Sequence, residues 1–148
     1  MTETIEEKLE GKKLLPPQIV FSDFLSSVLI ELTDRQKMEF PMDRRKWHVA
    51  FYIAIKNGVL PNYKTRVAIY PYIPNLEEGV YRLMQAGHVL QKCADDKFKY
   101  SVPGVDMLKT RQTQFNEEQQ TQLKEAAKYI CDRILADKLS PSSELGAQ

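Results

Sequence analysis

Two histidines, His48 and His88, and two cysteines, Cys93 and Cys131, are all the imidazole and thiol chemistry in the chain. That supply is thin for histidine-based metal sites or a nucleophile–His–acid triad. The cysteines lie far apart with no Cys-x-x-Cys spacing, so neither zinc nor a disulfide framework is expected. Gly-x-Gly-x-x-Gly, Gly-Lys-Ser/Thr, His-Glu-x-x-His and Gly-x-Ser-x-Gly patterns are all missing. Glu10-x-Lys12 matches half of a nuclease motif, but in a segment with no ordered acid before it. The expectation is a protein that is not an enzyme and carries no metal or cofactor.

Binding chemistry is better supplied. The net charge of +1 conceals an uneven distribution. Residues 1–41 hold five basic and eight acidic side chains, whereas residues 42–75 hold six basic ones against Asp43 alone. The basic stretch interleaves Arg45, Lys56, Lys64 and Arg66 with His48, Tyr52 and further aromatics. Such a pattern suits a phosphate backbone or a protein partner, and equally a solvated helix start and loop. A second set is Tyr81, Arg82 and Gln85, with Lys97 and Lys99 beyond. Arg reads guanine and Gln reads adenine in a major groove. Glu77 and Glu78 precede that set, where they would meet phosphates.

These residues must be positioned by local structure. Residues 1–13 alternate charge without an apolar face and read as a mobile arm. Pro16-Pro17 suit a helix start, and Val20, Phe24, Leu25, Val28, Leu29 and Leu32 recur at helical spacing, predicting a helix over 18–33. Asp43 is placed to cap a second helix that Gly58 ends, with Trp47, Ala50, Phe51, Ala54 and Ile55 inward. Its other face would carry Arg45, His48, Tyr52 and Lys56. Trp47 reads as a core anchor whose N–H finds an acceptor. Arg66-Val-Ala-Ile-Tyr70, between prolines, reads as a short strand or extended loop. Asn75 and Glu78 have capping-box spacing for a third helix ending at Gly87, with Leu76, Val80, Leu83 and Met84 inward.

After Gly87, His88–Lys92 and Lys97–Val102 flank an Asp-rich turn, and Phe98, Tyr100 and Val102 alternate with polar residues as in a half-buried strand. Val105 and Leu108 suggest one or two helical turns. Asn116 and Gln119 form a second capping-box pattern, opening a last helix to about residue 139 with Leu123, Ala127, Ile130, Ile134 and Leu135 on one stripe. That stripe would pack within its own domain or against a second copy as a homodimer. Cys131 lies near the stripe and reads as a small buried apolar residue, with Cys93 exposed.

Helix, helix, extended piece, capped helix, hairpin, helix is the order of a winged-helix domain. The segment Tyr70-Pro-Tyr-Ile-Pro-Asn-Leu-Glu-Glu-Gly-Val-Tyr-Arg-Leu-Met-Gln-Ala-Gly-His-Val89 resembles a recognition helix running into a first wing strand. Through Tyr100-Ser-Val-Pro-Gly104 to the helix opening at Asn-Glu-Glu-Gln, the chain is similar over about 18–138 to the Panacea and YwgA-like group. The resemblance implies a winged-helix-like fold in which Lys97 and Lys99 touch phosphates, with roles in double-stranded DNA binding and transcription regulation. It also implies an antitoxin-like alternative. The link from Gly58 to Asn75 exceeds the helix-turn-helix turn of about three or four residues. Either a short element lies within it, or the helix before it is not the usual partner.

The full expectation is an α+β, winged-helix-like fold, mostly helical, with a small β-hairpin wing and a C-terminal amphipathic helix. Its parts would be a mobile arm at 1–15, one domain over 16–139 and a loose tail at 140–148. The 148 residues suit one domain, and the 28% charged fraction is globular. No apolar run approaches the ~18 residues of a membrane span, and the N-terminus lacks a signal peptide's basic start. A cytoplasmic protein without membrane contact is expected. Its partner would be DNA, through Tyr81, Arg82, Gln85, Lys97 and Lys99, or a protein, through Arg45, His48, Tyr52, Lys56, Lys64 and Arg66.

Overall fold

A computed structural model describes residues 17–36, 39–41, 43–94 and 97–136, without the side chains of residues 41, 94, 97 and 98. The arm, the tail, Pro16 and Glu10-x-Lys12 lie outside the described residues. The chain forms α1 (Phe21–Gln36), β1 (Phe40–Pro41), α2 (Arg44–Lys56), β2 (Arg66–Val67), β3 (Pro71–Tyr72), α3 (Pro74–Gln85), β4 (Leu90–Ala94), β5 (Lys97–Ser101), α4 (Val105–Gln112) and α5 (Glu117–Ile134). It is an α+β fold, mostly helical, with a small β-hairpin and a C-terminal amphipathic helix.

The core is helix on helix. α1 packs against α5, α3 and α4, and α5 also packs against α2. The α5 stripe Leu123, Ala126, Ala127, Ile130, Cys131 and Ile134 is buried within its own chain. The face offered for a homodimer is therefore consumed in cis, and α5 ends at Ile134, short of residue 139. Across α2, stacked, tilted and edge-on rings run from Phe40 through Trp47 and Phe51 to Phe21 and Tyr63. α3 approaches α1 at Gly79, where a Cβ would lie 2.7 Å from Leu25 Cδ2. β4 and β5 pair antiparallel with Leu90 opposite Ser101 and Lys92 opposite Lys99. Strand β1 joins the far edge of β5, with Phe40 opposite Tyr100.

Local chemistry explains most boundaries. Asp43 caps α2 by accepting the Lys46 N–H, and Gly58 (φ +76) follows its end. Asn116 caps α5 through a complete capping box, accepting from Gln119 N at 2.8 Å while Gln119 Oε1 accepts the Asn116 N–H at 3.1 Å. Asn116→Ala should lower the unfolding free energy by about 1 kcal/mol, read as a shift in the urea midpoint at unchanged slope.

Four expectations are corrected here. Helix α1 begins at Phe21, not residue 18, because the buried Asp23 carboxylate accepts the Val20 N–H at 2.9 Å and fixes the chain entry. Val20 is consequently exposed instead of inward. Asp23 also accepts from Arg111 Nε at 3.0 Å, tying α4 to α1. Helix α3 is not capped by Asn75: Pro74 takes the first helical position, Ile73 is the N-cap, and no side chain caps it. Trp47 is a core anchor, but its Nε1–H has no acceptor among the described residues.

The cysteines differ in chemistry. Cys131 is buried, its thiol directed at Val28 O at 3.5 Å, and burial pushes its pKa up to about 12. Cys93 is exposed on β4. A thiol reagent should therefore label Cys93 in the native protein and Cys131 only after unfolding, as peptide mapping of the labelled chain would show.

Candidate interaction surfaces

A polar network that links α2, α3 and β5 begins at a residue expected on the outer face of α2. His48 is buried, at 1% exposure. The expectation that it shares an exposed basic face is wrong, because β3 folds back across that side of α2. The Ile73 N–H donates to His48 Nδ1 at 3.0 Å, and His48 Nε2 lies 2.8 Å from Glu77 Oε1. The pattern assigns the tautomer: Nδ1 accepts, so Nε2 carries the proton and donates to Glu77. Glu77 Oε2 accepts from Arg44 Nη1, and Arg44 Nη2 reaches the Tyr100 hydroxyl at 3.5 Å.

Burial alone would raise the Glu77 pKa, but hydrogen bonds from His48 and Arg44, with the Arg44 charge, hold it below the ordinary carboxylate range. Both His48 ring nitrogens are engaged, and the Tyr72 ring stacks on the imidazole at 4.9 Å. No lone pair is left to act as a base. The network positions β3 and α3 instead. Among the described residues, no group of three or more His, Cys, Asp or Glu side chains could hold a metal ion.

What this network holds in place is a two-stranded ribbon, β2 against β3, with Arg66 opposite Tyr72 and Val67 opposite Pro71. Of the two alternatives raised by the long link, a short element does lie within it, and it is this ribbon. It presents Ile69 at 89% exposure and Val67 at 59%. The Arg45 guanidinium lies over the Tyr70 ring at 4.9 Å. Next to it, Tyr52, Ile55, Lys56, Asn62, Tyr63, Lys64 and Thr65 line a depression of about 530 Å³. The Lys56 ammonium sits over the Tyr52 ring at 5.6 Å. Of the basic–aromatic set, the structure thus brings Tyr52, Lys56 and Lys64 together and joins Arg45 and Arg66 to the ribbon, while His48 supports it from beneath. No Asp or Glu occurs between Arg44 and Leu76 in the sequence.

The other set is differently disposed. Tyr81, Arg82 and Gln85 are exposed on α3, but Arg82 Nη2 donates to Glu78 at 2.6 Å and Gln85 Nε2 to the Tyr81 hydroxyl at 3.0 Å. Glu78 and Arg82 also border a groove of about 580 Å³ against residues 18–22 and Pro61. Lys99 is exposed opposite Lys92 on the hairpin. Lys97 opens β5, and its side chain is outside the described part. Phe98, expected to alternate inward, shares that status, whereas Tyr100 and Val102 are buried as expected.

Sequence reasoning missed Arg44, Glu77, Tyr72 and Ile73 as a connected unit. The one available signal was Glu77 in the first turn of α3, taken in the sequence as an acid that would meet phosphates. No protein-family model, curated protein or solved structure matches this chain. Among the described residues, no helix is long and apolar enough to cross a membrane.

Proposed function

We propose that the protein is a non-catalytic interaction module, winged-helix-like in the order of its elements, that docks another protein through its 44–72 surface. The observation that carries this reading is the ribbon tip: Ile69 and Val67 stand in solvent on a stretch of sequence that holds Arg45, Lys64 and Arg66 and no carboxylate. Exposed apolar side chains grouped on one element mark interaction sites, whereas scattered ones do not. The network beneath fixes the ribbon, as a preformed docking surface requires. An antitoxin- or adaptor-like role fits such a module.

The DNA-binding, transcription-regulatory reading is second. It is favoured by Lys92 and Lys99, like charges held directly opposite on the hairpin and exposed, an arrangement that repels unless phosphates lie between them. It is weakened at α3, where the guanine-reading candidate Arg82 is held by Glu78.

Affinity capture from extract of the cells that make the protein tests the choice. Ile69→Asp should remove a retained partner at least about tenfold without loss of stability, since a centrally placed apolar anchor dominates such contacts. Arg82→Ala and Lys99→Ala should leave capture unchanged. Capture insensitive to Ile69→Asp, with duplex DNA bound and weakened by Arg82→Ala, would favour the second reading.

A further inference from the structure

We infer that the ribbon receives an extended, alternating acidic and apolar segment of the partner protein, added as a third strand along the free edge of β2; this rests on the module reading above. The ribbon has two strands, and β3 is the one that packs on α2. The outer edge of β2 is therefore unpaired among the described residues. In an antiparallel pair, outward and inward backbone groups alternate, so either Arg66 or Val67 turns its N–H and C=O away from β3.

Proteins commonly protect such an edge with proline or by covering it. Here the proline, Pro71, is in β3, and β2 carries none. The edge is short, so side chains must supply most of the recognition. Val67 at the end of β2 and Ile69 in the bend that follows it are exposed, and both can offer apolar contacts to an incoming strand. Arg66 and Lys64 are exposed, and with Arg45 they have no ion-pair partner among the described residues. Alternating carboxylate and aliphatic residues match that arrangement, with main-chain bonds fixing the register. An anionic membrane would meet the charge and the apolar tip but not the backbone groups, and a duplex would leave Ile69 and Val67 unused.

The test is fluorescence anisotropy of the full chain with three short labelled peptides, alternating Glu–Val, Glu–Gly and Lys–Val. The Glu–Val peptide should bind in the micromolar range and weaken with salt. The Glu–Gly and Lys–Val peptides should each bind at least about tenfold more weakly, because charge and apolar contact are both required. Ile69→Asp and Arg66→Glu, both at exposed positions, should each reduce Glu–Val binding by a similar factor. Lys124→Glu on α5 should not.

Amide exchange should show one newly protected N–H at residue 66 or 67 in the complex. Equal binding of Glu–Gly and Glu–Val, or binding without that protection, would overturn strand addition. Binding of phosphatidylserine vesicles in preference to any peptide would overturn the protein-segment assignment. So would self-association abolished by Ile69→Asp, which would make the occupant a second copy. Failure of every peptide while Ile69→Asp still abolishes partner capture would overturn the acidic-strand inference and leave the module reading standing. Loss of both would remove the two together.

Discussion

His48→Ala is expected to lower the unfolding free energy by about 3–4 kcal/mol, the cavity and the orphaned backbone N–H acting together. The substitution strips the buried Ile73 N–H of its acceptor and Glu77 of a donor, and it removes the ring on which Tyr72 stacks. Stability falls with the cavity and the orphaned backbone group together. Urea denaturation measures the total. Amide exchange at Ile73 separates the local part, because that N–H should lose protection beyond the global change.

Glu77→Gln probes the same network through pH. The folded pKa of Glu77 is lowered, so its ionised form contributes stability that is fully present above the unfolded-state value. That contribution is lost as pH falls through the lowered folded value. The wild type should therefore lose stability on the acid side more steeply than Glu77→Gln. Parallel acid limbs for the two proteins would show that the carboxylate does not hold α3 to α2.

Trp47→Ala is expected to be the other severe substitution, at about 3–5 kcal/mol. Trp47 is sandwiched between Phe40 and Phe51, with ring centroids 6.4 and 6.3 Å away, and so couples β1 to the middle of α2. Trp47→Phe should cost far less, about 1–2 kcal/mol, because the indole N–H it removes has no acceptor to lose. This is the only tryptophan, so unfolding of both variants is followed by circular dichroism. A Trp47→Phe loss equal to that of Trp47→Ala would mean that the indole N–H is satisfied or that the stack tolerates no smaller ring.

The legible parts of this chain were those set by local chemistry. The α2 cap at Asp43, the stop at Gly58, the α5 capping box and the alternation of Lys99, Tyr100, Ser101 and Val102 all rest on neighbours within a few residues. Asn116-x-x-Gln119 and Asn75-x-x-Glu78 look alike in sequence, yet only the first forms a box. Pro74 starts α3 before Asn75 can cap it, and Glu78 turns to Arg82. What was not legible depended on distant chain. His48 lies on the polar side of α2 by spacing, and only the return of β3 buries it. Strand β1 is two residues with a proline, invisible without Tyr100 opposite Phe40. The run Val67-Ala-Ile69 has the composition of a buried strand, and its exposure follows from the fold, since among the described residues no element packs over it.

The most direct measurement of the binding face is photo-crosslinking in cells, with a photoreactive amino acid placed singly at position 69 or at position 82. Position 69 should give one discrete protein adduct and position 82 none. A nucleic-acid adduct from position 82, with none from position 69, would contradict it.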